Sequence, residues 1–236
     1  MLRGELLMKK ELVFYKGGLL KFVGHLDLMR TMQRALRRAE IPLCYSQGFN
    51  PHPLMGFASP LALGCVGEQE IMEIKIEQDM DDTVVMQCLN EQLPEGIKIL
   101  DCRTIDEQGP SAMAKVQAAL YRIRFPEGEE WVSIIDDFIR NEKIFLTKLG
   151  KVKGRKQQVK VDIKPWIYDL QFEDQRTILL LCACGSEQNL KPELFVHEIY
   201  KQIGRDDLKY CEEMNRLELY GKSKFGYFSL SKPGEV

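Results

Sequence analysis

The chain has few of the residues on which catalysis and membrane anchoring usually depend. It holds three histidines and two tryptophans in 236 residues. No stretch approaches the ~18 consecutive apolar residues of a membrane-spanning helix, so no membrane partner is expected. The N-terminal MLRGELLMKK lacks the apolar centre of a signal peptide, and Met8 is an equally good start, with residues 1–7 as an extension of no structural role. The seven cysteines are odd in number and have no framework spacing, which predicts reduced thiols in the cytoplasm. Cys182 and Cys184 form a C-x-C in the apolar run ILLLCACG and are expected to be buried strand thiols. No metal site and no cofactor is expected in this chain. The G-x4-G-K-[ST] phosphate loop and RNP-type aromatic motifs are both missing.

The formal net charge of −2 hides a strong separation. Residues 9–38 are basic, 68–107 acidic and 148–164 basic again, so local fields exceed what the total charge reports.

The most informative stretch is KFVGHLDLMRTMQRALRRAEIPLCYSQGFNPHPLMGFASP, residues 21–60. At about 100° per residue, Leu28, Met29, Met32, Ala35, Leu36 and Ala39 share one face of a helix over 25–39. Arg30, Arg34, Arg37 and Arg38 gather on the opposite face. Asp27 suits the first turn and reaches Arg30. A row of arginines rather than lysines fits bidentate recognition of phosphate or carboxylate, although a solvated face explains it equally well. The GFNPHP loop that follows is broken by Gly48, Pro51 and Pro53. It is expected to display Phe49 and to hold the His52 imidazole between two prolines. His25, Asp27 and His52 are the candidate acid–base residues, against the plainer reading of a helix start and a stiff connector.

A second basic segment, LTKLGKVKGRKQQVKVDIKP, carries Lys148, Lys151, Lys153, Arg155, Lys156, Lys160 and Lys164 against one acid, Asp162. A glycine-containing basic hairpin of this kind can track phosphates without reading bases. The candidate RNA-binding residues are therefore Arg30, Arg34, Arg37, Arg38, Phe49, Lys151, Lys153, Arg155, Lys156 and Lys164.

Element order predicts an α+β protein. Strands at 10–15, 67–78 (half-buried) and 97–105, extended pieces at 43–46 and 54–59, and helices at 25–39 and from Asp81-Asp82 to Leu93 give β-α-β-β-α-β, the ferredoxin-like pattern. Gln108 to Ser111 reads as a linker. Strands at 118–125 and 216–220, extended pieces at 144–149, 158–172 and 177–184, and helices at 131–141 and 192–203 repeat the order. Two tandem ferredoxin-like domains are expected, at 1–107 and 113–221, with a tail at 222–236 that either docks or stays mobile.

The run GHLDLMRTMQRALRRAEIPLCYSQGFNPHPLMGFASPLALG, together with Val161-Asp162-Ile163-Lys164-Pro165, resembles the signature of the radical-SAM-linked proteins of bacteria. The resemblance covers nearly the whole chain. It implies a partner, a radical SAM protein with a cobalamin-type domain encoded beside or fused to it. It also implies a neighbourhood of ribosomal-protein and ribonuclease genes, but no reaction. The C-x3-C-x2-C cluster motif of radical SAM enzymes is missing, so the chain resembles the linked protein and not the radical enzyme. Three readings stay open: an RNA-binding accessory protein to the radical SAM enzyme, a metal-independent RNA phosphodiesterase using His25 and His52, and a docking scaffold that touches no nucleic acid. Oligomeric state is not legible.

Overall fold

The computed structural model describes residues 8–152, 155–205, 207 and 210–232. The protein is a mixed α+β structure with a large mixed sheet and few helices. In chain order the elements are β1 (Met8–Lys16), α1 (His25–Arg38), β2 (Met55–Phe57), β3 (Val66–Ile76), α2 (Asp82–Asn90), β4 (Ile97–Ile105), α3 (Ala112–Lys115) and β5 (Ala118–Arg124). They continue as α4 (Trp131–Arg140), β6 (Phe145–Val152), β7 (Arg155–Asp162), β8 (Ile167–Phe172), β9 (Thr177–Ala183), α5 (Pro192–Gln202), β10 (Glu213–Ser223) and β11 (Gly226–Ser229). No helix among the described residues is long and apolar enough to cross a membrane.

The chain divides into two compact units, residues 1–117 with 215–236, and residues 118–214. In the first unit β1 pairs antiparallel with both β3 and β4, and β2 pairs antiparallel with the far edge of β3. That order, β4-β1-β3-β2, is the one a βαββαβ chain forms. Residues 215–216 add a short parallel pairing to β3 at Val66 and Gly67. In the second unit β5, β9 and β8 pair antiparallel, and β6–β7 form a separate two-stranded ribbon.

The helix periodicity holds. Leu28, Met32, Ala35 and Leu36 of α1 are buried and join Leu12, Phe14, Met72, Ile74, Val85 and Leu89 in one core. Each of these side chains other than Ala35 contributes about 1.5–3 kcal/mol when buried. Asp81 caps α2 by accepting the amide hydrogens of Thr83 and Val84, and its negative charge suits that helix end. In the second unit Trp131 stacks on Phe125 at 4.8 Å, while its indole N–H donates to the Pro126 carbonyl at 2.6 Å.

The structure corrects the half-buried reading of β3. Residues 70–74 are buried on both faces. The face away from α1 is covered, because Glu73 accepts the amide hydrogen of Ala112 at the start of α3 (2.8 Å) and Gln69 accepts from Ser231 (2.8 Å). The segment read as a linker leads directly into α3, whose first turn the Ser111 hydroxyl caps. Of the segment after residue 221, the described residues 222–232 dock: β11 pairs with β10, and Arg103 donates to the carbonyls of Leu230 and Ser231.

Candidate nucleic-acid interface

The four arginines of α1 are exposed, opposite its buried stripe. Arg30 bonds Asp27 at 3.0 Å, the pair expected from spacing. Arg38 donates to the Gln92 carbonyl at 2.6 Å. Arg34 and Arg38, with Thr31, Gln92, Leu93 and Pro94, line an open cleft of about 350 Å³. Elsewhere among the described side chains, Arg103, Arg122, Arg124, Arg140, Arg176, Arg205 and Arg216 each hold a carboxylate. Among the described residues Arg34, Arg37 and Arg38 have no such partner. Three guanidinium groups at i, i+3 and i+4 repel one another by a few tenths of a kcal/mol per pair. The helix tolerates this because α1 is held by its buried face and because Arg37 and Arg38 sit in its last turn, favourable for the macrodipole.

The loop beyond α1 is pinned at its base and bare at its tip. Cys44 donates its amide hydrogen to the Lys75 carbonyl (2.9 Å), Leu54 to Cys44 (2.8 Å) and Ser46 to His52 (2.9 Å). Phe49 at the tip is 105% exposed, as its position between Gly48 and Asn50 predicted. His52 is exposed as well. Its Nδ1 lies 2.8 Å from Ser46 Oγ, which also accepts the His52 amide hydrogen at 3.1 Å. The Asn50 carbonyl lies 3.5 Å from the same Nδ1, so which partner donates in the His52–Ser46 contact depends on the imidazole tautomer. Beneath it, a cleft of about 320 Å³ is floored by Lys9, Glu73 and Lys75. Lys9 and Glu73 pair at 2.9 Å.

The acid–base candidates have separate surroundings. His25 begins α1 and packs edge-on against Phe57 at a centroid distance of 5.4 Å. Asp27 is engaged with Arg30, and His52 with Ser46. No hydrogen bond or ion pair joins the three among the described residues. No group of three or more His, Cys, Asp or Glu side chains among the described residues is placed to hold a metal ion.

The basic hairpin exists as the β6–β7 ribbon, with Lys151 opposite Lys156 and Val152 opposite Arg155. Lys153 lies outside the described residues, and Lys151, Arg155 and Lys156 are described by their backbone alone. Lys164 is half-buried, and its ammonium donates to the Ile139 carbonyl, so its charge serves the fold.

A buried charge cluster lies behind the signature run, and sequence reasoning missed it. Arg216 and Glu70 are 2% and 4% exposed at their side chains and bond bidentately, at 2.8 and 2.5 Å. Arg216 also donates to the carbonyls of Ser59 and Pro60, both at 3.1 Å, fixing the start of the SPLALG segment. Lys16, also buried, donates to the Val23 carbonyl at 2.9 Å just before α1. Burial holds the Lys16 ammonium below its ordinary value of 10.5; Glu70 and Cys65 oppose that shift and Arg216 adds to it. A base with a lowered folded-state value binds fewer protons folded than unfolded, so its contribution to stability rises with pH up to about 10.5. Replacing Lys16 by methionine should therefore flatten the wild-type gain in this window, read as the difference in melting temperature between the two proteins along an alkaline pH series. Parallel pH curves for the two proteins would rule this out.

These features define a class: an α+β protein whose first unit presents an exposed arginine row, three of its four members without a carboxylate partner among the described residues, and a pinned, aromatic-tipped loop on neighbouring stretches of chain. The chain belongs to an uncharacterized protein family conserved in bacteria (DUF2344), whose sequence profile matches residues 9–192. A search of curated proteins returned no match. The family match says nothing of a radical SAM partner.

Proposed function

We propose that this protein is a non-catalytic RNA-binding module that serves a radical SAM enzyme as an accessory, presenting substrate or docking the enzyme. The observation that carries the RNA part is the arginine row: Arg34, Arg37 and Arg38 are exposed and lack carboxylate partners among the described residues, while the other arginines with described side chains are paired. Guanidinium groups on one helix face beside an open cleft suit phosphate oxygens. The exposed Phe49 adds a surface on which an unpaired base can stack. The radical SAM partner rests on the resemblance of the signature run. A finer fold reading goes with this: two tandem ferredoxin-like domains, supported by the β4-β1-β3-β2 order of the first unit; from β5 to β10 the order β-α-β-β-β-β-α-β carries two strands more than that pattern. Paired sheets of this type serve RNA binding in other proteins, an argument from fold alone.

The scattered surroundings of His25, Asp27 and His52 favour binding over catalysis. Purified protein should bind single-stranded RNA and return it intact, and His52→Ala should leave the RNA equally intact. Metal-independent cleavage by the isolated protein, slowed about 10²–10⁴-fold by His52→Ala, would establish the phosphodiesterase reading instead. Stable association with the radical SAM partner and no RNA affinity at physiological salt would leave the scaffold.

A further inference from the structure

The β10–β11 hairpin combines cations and rings at its tip. Ser223 and Gly226 pair across the ends of the two strands. The Ser223 hydroxyl accepts the Phe225 amide hydrogen (3.2 Å) and donates to the Gly226 carbonyl (3.3 Å), which stiffens the turn. Gly226 takes φ +131°, a conformation that side chains rarely adopt. The turn thrusts Phe225 into solvent, 82% exposed. Lys224 Nζ sits 4.9 Å from the Phe225 ring centre, and Lys222 Nζ 5.5 Å from that of Tyr227.

Cross-strand register sorts the rest. Lys222 faces Tyr227, and Tyr220 faces Ser229, so Tyr220, Lys222 and Tyr227 share one side of the ribbon. Phe228 belongs to the other side, where its ring covers Gly221; a Cβ at residue 221 would lie 2.4 Å from that ring. Phe228 is therefore a packing residue, Tyr227 is half-buried, and Phe225 is the displayed ring. The lysines that pair with carboxylates among the described residues are Lys9, Lys10, Lys75 and Lys201, not Lys222 or Lys224.

We infer that this hairpin binds unpaired nucleotides of RNA, a base stacking on Phe225 while Lys224 and Lys222 reach the flanking phosphates. This rests on the RNA reading above and deepens it, because stacking on an exposed ring requires bases that are free of a duplex. A ring beside an ammonium supplies both contacts that a single-stranded nucleotide offers, a π-face and a phosphate. A membrane occupant is disfavoured, since one phenylalanine is the whole apolar content of the tip and Ser223 and Lys224 flank it.

The test uses the full chain and a single-stranded RNA oligonucleotide carrying 2-aminopurine, with its duplex as the comparison. Wild-type protein should change the 2-aminopurine emission in the single strand. Phe225→Ala should abolish that change and weaken single-strand binding about 5- to 150-fold, with Phe225→Trp restoring both. Lys222→Gln with Lys224→Gln should lower the salt slope by roughly 1.4, two phosphate contacts' worth. Unchanged single-strand affinity in Phe225→Ala, alongside a loss in Arg34→Gln/Arg37→Gln, overturns the hairpin site and leaves the RNA reading standing. A wild-type protein that binds no RNA overturns both. Phe225-dependent binding to anionic phospholipid vesicles without RNA binding reassigns the hairpin to a lipid surface and overturns the inference. Phe225 is exposed, so an unaltered melting curve is expected for the alanine variant.

Discussion

Glu70→Gln is expected to destabilise the first unit by about 3–5 kcal/mol, the usual result of removing one partner from a buried ion pair. The carboxylate faces two buried cations, Lys16 and Arg216. Without it both are left in a low-dielectric interior, and the bidentate pair becomes a single neutral contact. Arg216→Met should be comparably damaging for a different reason. Lys16 still faces Glu70, but the carbonyls of Ser59 and Pro60 lose their donors, at roughly 1–3 kcal/mol for each group left unsatisfied. Adding Lys16→Met to Glu70→Gln should recover part of the loss by removing one unpaired cation. Both tryptophans, Trp131 and Trp166, belong to the second unit, so their fluorescence reports the wrong place. Amide exchange at Leu12 and Met72 is the proper probe. A loss under about 1 kcal/mol, the scale of a surface pair, would mean that the cluster is hydrated in solution.

The second large effect concerns binding. Arg34→Gln, Arg37→Gln and Arg38→Gln together should flatten the salt dependence of single-stranded RNA affinity by about 2 units of slope, three contacts at roughly 0.7 each. Stability should change by no more than about 0.5 kcal/mol, because the side chains are exposed and their removal relieves like-charge repulsion. Arg140→Gln is the matched control, an exposed arginine on a helix that is already paired with Asp137 at 3.3 Å. A loss in the control of a third of that in the triple variant would reduce the effect to net charge. An unchanged slope in the triple variant would remove α1 from the binding surface.

The legible and illegible parts of this fold separate along a physical line. α1 was readable because Leu28, Met32, Ala35 and Leu36 keep a 3.6-residue period, and its opposite face followed without further information. The exposed Phe49 was readable because glycine and proline dominate its loop. The basic hairpin was readable as a hairpin but not the length of the β6–β7 ribbon, in which Gly150 is a paired strand residue opposite Gln157. The Lys16–Glu70–Arg216 cluster was not readable. A period-based reading assigns charged residues to solvent, whereas here each is buried by a partner distant in sequence, Glu70 and Arg216 being 146 residues apart. Lys10 shows the same limit. It is 1% exposed and holds Asp82 and Thr104 at 2.6 and 2.8 Å. Burial pushes the Asp82 carboxyl up, but the hydrogen bonds from Lys10 and Thr104 outweigh it and hold the group below the usual carboxylate range. The half-buried reading of β3 failed for a related reason, since the segments that cover its second face, α3 and residues 230–231, are linked to it through polar contacts that no apolar pattern announces.

The return of residues 215–232 to the first unit has a consequence for how the chain is made. A ribosome releases Lys16 and Glu70 long before Arg216. At about 5–20 residues per second the delay across the intervening 146 residues is on the order of 7–30 s. For most of that interval residues 118–214 are being synthesised, and they form a compact unit of their own. The nascent first half meanwhile waits with Glu70 short of its guanidinium partner, β10 not yet alongside β3, and Arg103 and Gln69 without the Leu230–Ser231 clasp. The order of birth is therefore not the order of completion: the unit begun first is the last to close.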